Sequence, residues 1–432
     1  MHLGRLATRG LIPLSVFALL GSGLALQDPS TQVTATAEAV SGTPAVVRDT
    51  DVPVVDPVAQ EAAPTPEAAP AEGASPDDEA APEGESTPEA ETEPGAPDLT
   101  EGHEDHAHEH QAIADAAVVA ELEPRELEPF SMLGVTWTGG LDGDGTHVEA
   151  RWRANGTWSA WTELHIEASD EGIPGTEPQW VGRADAAAVR VVSSTGAQPE
   201  GLELSTIDPG TTPDIAPAAF ATAAAGGVPQ PKIISRAAWG ASRSSGCSSP
   251  IYGASTRGAV IHHTAGSNTY SASQSASIVK ATQAYHTGAR DWCDIGYNFL
   301  VDKYGQIFEG RAGGITRGVR AAHSGNGTVN QETVGVSMMG TFSSTAPTAA
   351  MQKAVADLVA WKFAIHGIPA TGRYTSGGVT LDRIAGHRNV VGTECPGAAA
   401  YAWVVSSNGL RKAVAQRLAA APDFDWPAPT SI

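Results

Sequence analysis

A long acidic stretch near the amino terminus constrains this chain most, because it cannot form a hydrophobic core of its own. From Gln27 to Leu122 the sequence contains no Phe, Trp, Tyr or Lys, and residues 27–125 hold 24 acidic residues against two arginines. Such a segment buries too little apolar surface to offset the entropy that a chain loses on folding. We therefore predict a disordered acidic linker over residues 26–125, with the folded domains after it.

The first 25 residues have the pattern of a secretory signal peptide. Arg5 and Arg9 precede an apolar run that ends at Leu20, and small residues follow at Gly23 and Ala25. This order of charge, apolar core and small residues is typical of a cleaved signal. The apolar run is shorter than the ~20 residues that span a bilayer. We expect a signal peptide at residues 1–25, a secreted or cell-wall-associated protein and no transmembrane anchor, with an uncleaved anchor as the alternative.

The charge distribution excludes one class of partner. The whole chain has a formal net charge of −23, but residues 126–432 hold 22 basic and 25 acidic residues and are almost neutral. A protein that follows a phosphate backbone needs a basic surface, so we expect no nucleic-acid partner. Within the acidic linker, the tract from His103 to His110 contains four histidines among carboxylates. This tract either collects divalent cations or is a solvated part of the linker.

Residues 126–210 predict a small all-β sandwich. Short strand-like runs follow one another, His147–Arg153 alternates between apolar and polar residues, and Asn155-Gly156 is typical of a hairpin turn. Several such strands at short spacing are typical of a sandwich. Five tryptophans in this region either stack on wall sugars or form the core; they are Trp137, Trp152, Trp158, Trp161 and Trp180. An Ala/Pro/Gly-rich linker is predicted at residues 211–230.

Residues 231–420 predict an α/β domain with a mixed sheet and packed helices. Strands are expected at Ala259–His263, Tyr297–Asp302, Gln306–Glu309, Thr333–Gly340 and Arg383–Gly386, and helices at Ser273–Tyr285, Thr348–His366 and Ala398–Leu418. Strands that alternate with helices indicate this architecture. The Gly-rich connection from Gly310 to Glu332 shows neither pattern, and a loop of that length is often functional. Residues 421–432 are predicted to be a loose tail.

Two segments of this domain carry candidate metal ligands. An apolar run ends in His262 and His263, and far downstream His387 precedes Cys395 by eight residues. Imidazole nitrogen and cysteine sulfur are the ligands that Zn²⁺ prefers, and three protein ligands are typical of a catalytic site. Because neighbouring side chains of a strand point to opposite faces, His262 and His263 cannot both bind one ion. The sequence pattern alone leaves open which of them does.

The ordered set of motifs in residues 231–418 resembles the peptidoglycan recognition protein family, which includes zinc-dependent N-acetylmuramoyl-L-alanine amidases. The motifs are Ser235-Arg-Ala-Ala-Trp-Gly240, Val260-Ile-His-His-Thr-Ala265, Tyr285-His286, Trp292-Cys-Asp-Ile-Gly-Tyr-Asn-Phe299, Glu309-Gly-Arg311, Ala322-His323, Gly335-Val336, and Gly386-His387 followed by Thr393-Glu-Cys-Pro396. The resemblance implies an enzyme that cuts the bond between N-acetylmuramic acid and L-alanine. The alternative is a non-catalytic peptidoglycan-binding module that uses the same groove.

The resemblance also assigns roles to individual residues. It implies that His262, His387 and Cys395 bind zinc, and that Tyr297 and Thr393 assist catalysis. Contacts with the muramyl-peptide are implied for His286, Trp292, Arg311, His323 and Asn326, and a disulfide for Cys247 and Cys293. Arg311 and Trp292 match members that prefer meso-diaminopimelate peptides, whereas Asp291 departs from that pattern. A guanidinium can hold the extra carboxylate of diaminopimelate through two parallel hydrogen bonds.

Overall fold

The computed structural model describes residues 42–59, 116–141, 145–167, 169–213, 224–225, 227–242 and 249–421. All of these residues belong to one compact unit. The predicted signal peptide, the His103–His110 tract and all but the first residue of the predicted tail at 421–432 lie outside them. No helix of the described residues is both long and apolar enough to cross a membrane.

The amino-terminal part is an all-β domain, as predicted, but its strands form one hydrogen-bonded sheet. Two long strands, Ala117–Thr136 and Gln179–Ser193, pair with each other along most of their length and carry several β-bulges. Bulges bend a strand and increase its twist. The remaining described strands of this sheet are Val46–Asp51, Val54–Ala59, Thr146–Ala154, Thr157–Trp158, Thr162–Leu164, Ile166–Glu167, Gly175–Thr176 and Glu203–Asp208.

The predicted boundary between linker and β domain is wrong in two places. Residues 46–51 and 54–59 form strands on this sheet, and residues 117–125 begin its longest strand. Val46–Asp51 pairs antiparallel with Glu203–Asp208, and Val52 is buried beside this pair. The low apolar content of the whole stretch hid local valine-rich runs, which become stable only when an existing sheet edge supplies their hydrogen bonds and a buried face. Residues 60–115 lie outside the described part of the chain.

The tryptophans of the β domain divide among three environments. Trp137 is buried in the β-domain core, and Trp152 packs against that core. Trp180 is buried in a second cluster that the two domains share. Trp158 and Trp161 are half-buried, and the guanidinium of Arg151 lies over both rings. The core interpretation therefore holds for Trp137. Sugar binding by the half-buried rings stays a prediction.

The carboxy-terminal domain has the predicted mixed sheet. Its strand order is Ile233–Ile234, Ile307–Glu309, Phe299–Val301, Thr333–Met338, Gly258–His263 and Ile384–Gly386, and the last four run parallel. The helices of the described residues are Arg236–Trp239, Ser275–Ala284, Gly327–Glu332, Ala349–His366, Ala398–Val405 and Leu410–Ala419, with 3₁₀ turns at Ala272–Gln274 and His387–Asn389 and a π-helical turn at Tyr285–Ala289. The helix Ala349–His366 packs on the sheet as part of the main core.

Local chemistry explains several of the helix boundaries. Thr348 caps Ala349–His366, because its side chain accepts a hydrogen bond from the backbone of Met351, and Gly367 ends the helix in the left-handed conformation. The single helix predicted over Ala398–Leu418 is instead two helices, since Ser406 leaves the helical conformation. Ser, Asn and Gly in this short break compete with helical hydrogen bonding or disfavour it.

Two predicted connections also contain regular structure. The loop from Gly310 to Glu332 includes the helix Gly327–Glu332, which Asn326 caps. The linker predicted at residues 211–230 includes a small hairpin of Ala224–Ala225 and Val228–Pro229. A further hairpin that was not predicted pairs Arg373–Ser376 with Val379–Asp382. Each of these elements is too short for the periodicity of the sequence to reveal it.

Candidate metal centre and groove

Three predicted ligands come together at one edge of the mixed sheet. His262 is the penultimate residue of the strand Gly258–His263, and His387 begins the turn that follows the neighbouring parallel strand Ile384–Gly386. Because parallel strands end at the same edge, these two imidazoles lie close, with ring centroids 4.5 Å apart. The side chain of Cys395 completes the group. One ligand atom from each residue lies within 4.8 Å of the others, and all three residues are buried.

A chain of hydrogen bonds determines which nitrogen of His262 faces this cluster. Nε2 of His262 lies 2.9 Å from Nδ1 of His323, and Nε2 of His323 lies 3.3 Å from the hydroxyl of Thr333. That hydroxyl donates its single proton to the carbonyl of Val329 at 2.7 Å. It must therefore accept from His323, and His323 in turn must accept from His262. Nδ1 of His262 therefore carries a lone pair, and it lies within hydrogen-bond distance of the sulfur of Cys395, at 3.8 Å.

The hydrogen bonds of this chain require a neutral His323, and burial favours neutral imidazoles at both His323 and His262. Burial is the largest cause that lowers the pKa of His262 well below its usual range, and it lowers the pKa of His323 to about 3. A histidine that binds a metal usually donates its other N–H to a partner that orients the ring. His323, which was predicted to contact substrate, is this partner for His262 and accepts its N–H. Thr333 in turn accepts the N–H of His323.

His387 and Cys395 have the properties of metal ligands. Among the described residues, neither ring nitrogen of His387 makes a hydrogen bond of normal geometry, although the side chain is buried and the nearby backbone of Ser324 acts to raise its pKa. Buried polar atoms without a partner are rare, because leaving them unsatisfied costs about 1–3 kcal/mol each. Burial, and then the carboxylate of Glu177, raises the pKa of the Cys395 thiol well above its usual range. A bound cation would satisfy a nitrogen of His387 and stabilise the thiolate.

The residues present therefore fit a zinc ion. Bond lengths of ~2.0–2.3 Å around a tetrahedral ion place ligand nitrogen and sulfur about 3.6 Å apart, close to the 3.8 Å between His262 Nδ1 and Cys395 Sγ. His263 stays outside the group of three, and its Nδ1 accepts a hydrogen bond from the backbone of Phe342 at 3.3 Å. The alternation of side chains along the strand thus separates the two neighbouring histidines, and the one that reaches the cluster is His262.

The hydroxyl of Tyr297 points to carboxylates of the other domain. Its ring lies 5.5 Å from that of His262, so Tyr297 is close to the candidate metal ligands. The hydroxyl lies 3.0 Å and 3.2 Å from the two carboxylate oxygens of Glu177, and 3.4 Å from Glu167. Burial, and next the charge of Glu177, raises the pKa of Tyr297 well above its usual range. Both glutamates belong to the β domain.

Thr393 lines the same cavity as Cys395, together with His165, Glu167 and Glu177. Its hydroxyl accepts a hydrogen bond from the backbone N–H of Cys395 at 3.2 Å. This contact holds the backbone of the thiol ligand. The catalytic role of Thr393 stays a prediction.

The predicted substrate residues lie in different surroundings. His286 and Trp292 are buried and stack on each other with ring centroids 4.4 Å apart. The guanidinium of Arg311 forms two hydrogen bonds of 2.9 Å each with the two carboxylate oxygens of Glu171. Asn326 caps a helix and donates to the carbonyl of Gly377. Its side chain thus has structural partners, and its contact with substrate stays a prediction.

The sequence did not indicate the acidic residues that pair with arginines around these predicted substrate residues. Asp170 and Glu171 pair with Arg320 and Arg311, and Glu167 pairs with Arg290 at 2.9 Å. These carboxylates come from the β domain, more than 100 residues before the arginines. The concentration of acidic residues between Glu163 and Glu177 was visible in the sequence, but nothing in it indicated which surface they would contact.

The predicted disulfide between Cys247 and Cys293 stays a prediction, because Cys247 lies outside the described residues. Cys395 is a free thiol, as a metal ligand must be. Asp291, the residue that departs from the diaminopimelate pattern, is exposed and has a left-handed backbone, with φ of 53°.

Comparisons with known proteins agree with this geometry. Residues 252–398 match a family model described as N-acetylmuramoyl-L-alanine amidase, and residues 79–214 match one described as Rv3811 N-terminal galactose-binding domain-like. Over 167 residues the chain is 35% identical to peptidoglycan-recognition protein SC2 of Drosophila simulans, covering 38% of this chain and 80% of that protein. It is 36% identical over 169 residues to peptidoglycan recognition protein 1 of Bos taurus, covering 39% and 80%.

Solved structures give a weaker likeness. Drosophila PGRP-LB is 28% identical, with 41% of this chain and 95% of that chain covered and a TM-score of 0.34. A score that low adds nothing to the sequence matches.

Proposed function

Because the chain belongs to the family of peptidoglycan recognition proteins and N-acetylmuramoyl-L-alanine amidases, we propose that it is a secreted zinc amidase. The bond cut is the amide between N-acetylmuramic acid and L-alanine in peptidoglycan. The observation that carries this proposal is the buried group of His262, His387 and Cys395. A module that only binds peptidoglycan has no use for a buried free thiol beside two neutral imidazoles.

The protein's own residues would divide the work as follows. His262, His387 and Cys395 hold the ion, and His323 with Thr333 keeps a lone pair of His262 directed at it. Bound there, Zn²⁺ would activate a water molecule and polarise the scissile carbonyl. The phenol of Tyr297 lies beside His262 and can donate a hydrogen bond to the carbonyl oxygen as negative charge develops on it. Thr393 keeps the backbone of Cys395 in place.

Muropeptide analysis tests the amidase proposal. Purified sacculi are incubated with zinc-loaded full-length protein, and the released fragments are identified by mass spectrometry. We expect free stem peptides that begin with L-alanine and glycan strands without peptide. Folded, zinc-loaded protein that binds sacculi but releases no stem peptide, either as the wild type or with Asp170→Asn and Glu171→Gln together, would favour the non-catalytic binding module. This double substitution removes the charges of the two carboxylates that pair with Arg320 and Arg311, so it separates an inactive enzyme from one whose site is covered by these carboxylates.

We also propose that the stem peptide is of the meso-diaminopimelate type. The support is the geometry of Arg311, whose guanidinium already holds a carboxylate through two parallel hydrogen bonds. Lysine-type stems offer no such carboxylate. We expect Arg311→Ala to raise KM for diaminopimelate stems at least tenfold more than for lysine stems. The ratio between the two substrates is the measurement, because damage to the fold lowers activity on both. An unchanged ratio would assign Arg311 to the loop alone.

A further inference from the structure

The proposed substrate groove is filled by part of the same chain. Residues 165–167 and 169–177 of the β domain, called here the acidic segment, lie against the residues to which the family resemblance assigns substrate contacts. Side chains that a muramyl-peptide would have to reach are almost fully buried: Arg311 is 6% exposed, Cys395 5% and Tyr297 1%. An enzyme with this arrangement has no room for its substrate at the metal centre. The acidic segment must leave the groove before hydrolysis can occur.

The contacts of the acidic segment are those of a substrate mimic. Glu171 places its carboxylate on Arg311, where the carboxylate of diaminopimelate is proposed to bind. Asp170 accepts hydrogen bonds from Arg320 at 2.8 Å and from the side chain of Asn330 at 2.7 Å. These carboxylate contacts are charge-assisted, and such hydrogen bonds are stronger than neutral ones.

The segment also engages the catalytic side of the groove. The carboxylate of Glu177 accepts a hydrogen bond from the hydroxyl of Tyr297. Glu167 forms an ion pair of 2.9 Å with Arg290, and both side chains are buried. A carboxylate and a guanidinium that are buried together must stay paired, because either alone would carry a large desolvation penalty. Departure of the segment therefore requires that both groups regain water.

The backbone of the segment approaches the groove closely at one glycine. Ile173 donates from its N–H to the carbonyl of Arg290 at 2.9 Å. Gly172, next to it, has a left-handed backbone, and a Cβ there would lie 1.9 Å from the same carbonyl and 2.5 Å from the ring of Trp292. Only glycine permits this approach. The fit depends on shape as well as on charge.

We propose that the acidic segment is an intramolecular inhibitor that keeps the amidase latent by occupying its groove. The proposal rests on the proposed function, since it takes the groove to be a peptidoglycan site. The two domains also share an apolar cluster, which includes Met132, Trp180 and Ile207 of the β domain and to which Asp170, Glu171 and Gly172 do not belong. Substitutions at Asp170, Glu171 and Gly172 leave that cluster intact, so their effects report on the segment itself.

Two matched pairs of full-length variants test the inference. Asp170→Asn with Glu171→Gln removes the charge from both carboxylates at the groove. Its control, Glu126→Gln with Asp185→Asn, makes the same change at two carboxylates that pair with Arg153 within the β domain. The second pair changes shape without charge. Gly172→Ala places a methyl group against Arg290, whereas Gly182→Ala adds the same group at an equally left-handed glycine with no atom within 4 Å.

Binding is measured first, so that the result does not depend on catalysis. The probe is N-acetylmuramoyl-L-alanyl-γ-D-glutamyl-meso-diaminopimelate, and calorimetry is performed on metal-free protein, which cannot hydrolyse it. We expect both groove variants to bind at least tenfold more tightly than the wild type, because the probe no longer competes with the full set of segment contacts. Both controls should match the wild type. Equal affinity of the wild type and the groove variants, including no binding by either, overturns the inference.

Hydrolysis by the zinc-loaded proteins then separates the two proposals. Groove variants that cleave at least tenfold faster than the wild type and the controls support both. Tighter binding without cleavage by any variant supports the inhibitory segment and refutes the amidase. Cleavage by the wild type at the rate of the groove variants supports the amidase and refutes the inhibitory segment.

Discussion

Thr333→Val tests the hydrogen-bond chain behind the metal centre. Valine has nearly the shape of threonine, so the substitution removes the hydroxyl and little else. The hydroxyl of Thr333 accepts from Nε2 of His323, which is 1% exposed. Without it, the N–H of His323 is buried with no partner, at a cost of about 1–3 kcal/mol.

His323 can avoid this cost only by moving its proton to Nδ1. That nitrogen lies 2.9 Å from Nε2 of His262, so two N–H groups would then face each other unless His262 also moved its proton. The second proton would go to Nδ1 of His262, the atom that faces Cys395. Zinc binding requires the lone pair at Nδ1 of His262, so both protons must return to their original nitrogens. The N–H of His323 is then again buried without a partner, and zinc binding bears that cost. At 1.4 kcal/mol for each tenfold change, zinc affinity should fall about 5- to 150-fold.

Competition with a zinc-sensitive fluorescent chelator measures this affinity. The control is Thr282→Val. Thr282 is also buried, and its hydroxyl also donates to the carbonyl four residues earlier, at 2.9 Å, but it has no hydrogen bond to a histidine among the described contacts. We expect the control to bind zinc as the wild type does. A Thr333→Val protein that is folded and binds zinc within twofold of the wild type would refute the proposed chain of tautomers.

Three further predictions concern the thiols and a buried lysine. Cys395→Ser should lose zinc and nearly all hydrolysis but keep its fold, because a hydroxyl is a poor zinc ligand; a serine variant with normal turnover would remove Cys395 from the site. After unfolding without reductant and chelation of zinc, one thiol per chain should react with a blocking reagent, and three reactive thiols would disprove the pairing of Cys247 with Cys293. Burial lowers the pKa of Lys362 to about 7, below the ~10.4 of an unfolded chain, so the free energy of unfolding should rise from pH 7 towards pH 10, where only the unfolded state holds this proton. Lys362→Met should flatten that rise in urea titrations, and an unchanged slope would contradict the assignment.

Local pattern determined much of the carboxy-terminal domain. Its main strands and helices were predictable because hydrophobic periodicity and caps such as Thr348 act within a few residues. Their exact ends shifted by a few residues, and the break at Ser406 was missed, because neighbouring contacts decide where an element stops. The motifs around His262, His387 and Cys395 indicated a metal site before any geometry was known, since few residue types can bind zinc.

Other features required the tertiary structure. Alternation along a strand implied that only one of His262 and His263 could face the cluster, but which one did so depends on how the sheet packs. The strands at residues 46–59 exist because a sheet edge lies beside them, although their composition resembles that of a disordered linker.

The acidic segment is the clearest case of a feature that only the tertiary structure decided. Glu171 and Arg311 are 140 residues apart, and no local pattern encodes a pairing at that distance. The amino-acid sequence by itself indicated a metal site and, through its resemblance to a known family, implied a groove for peptidoglycan. The packing of the two domains decided that this groove is covered, because ion pairs and close backbone contacts form only between surfaces that the fold has already brought together.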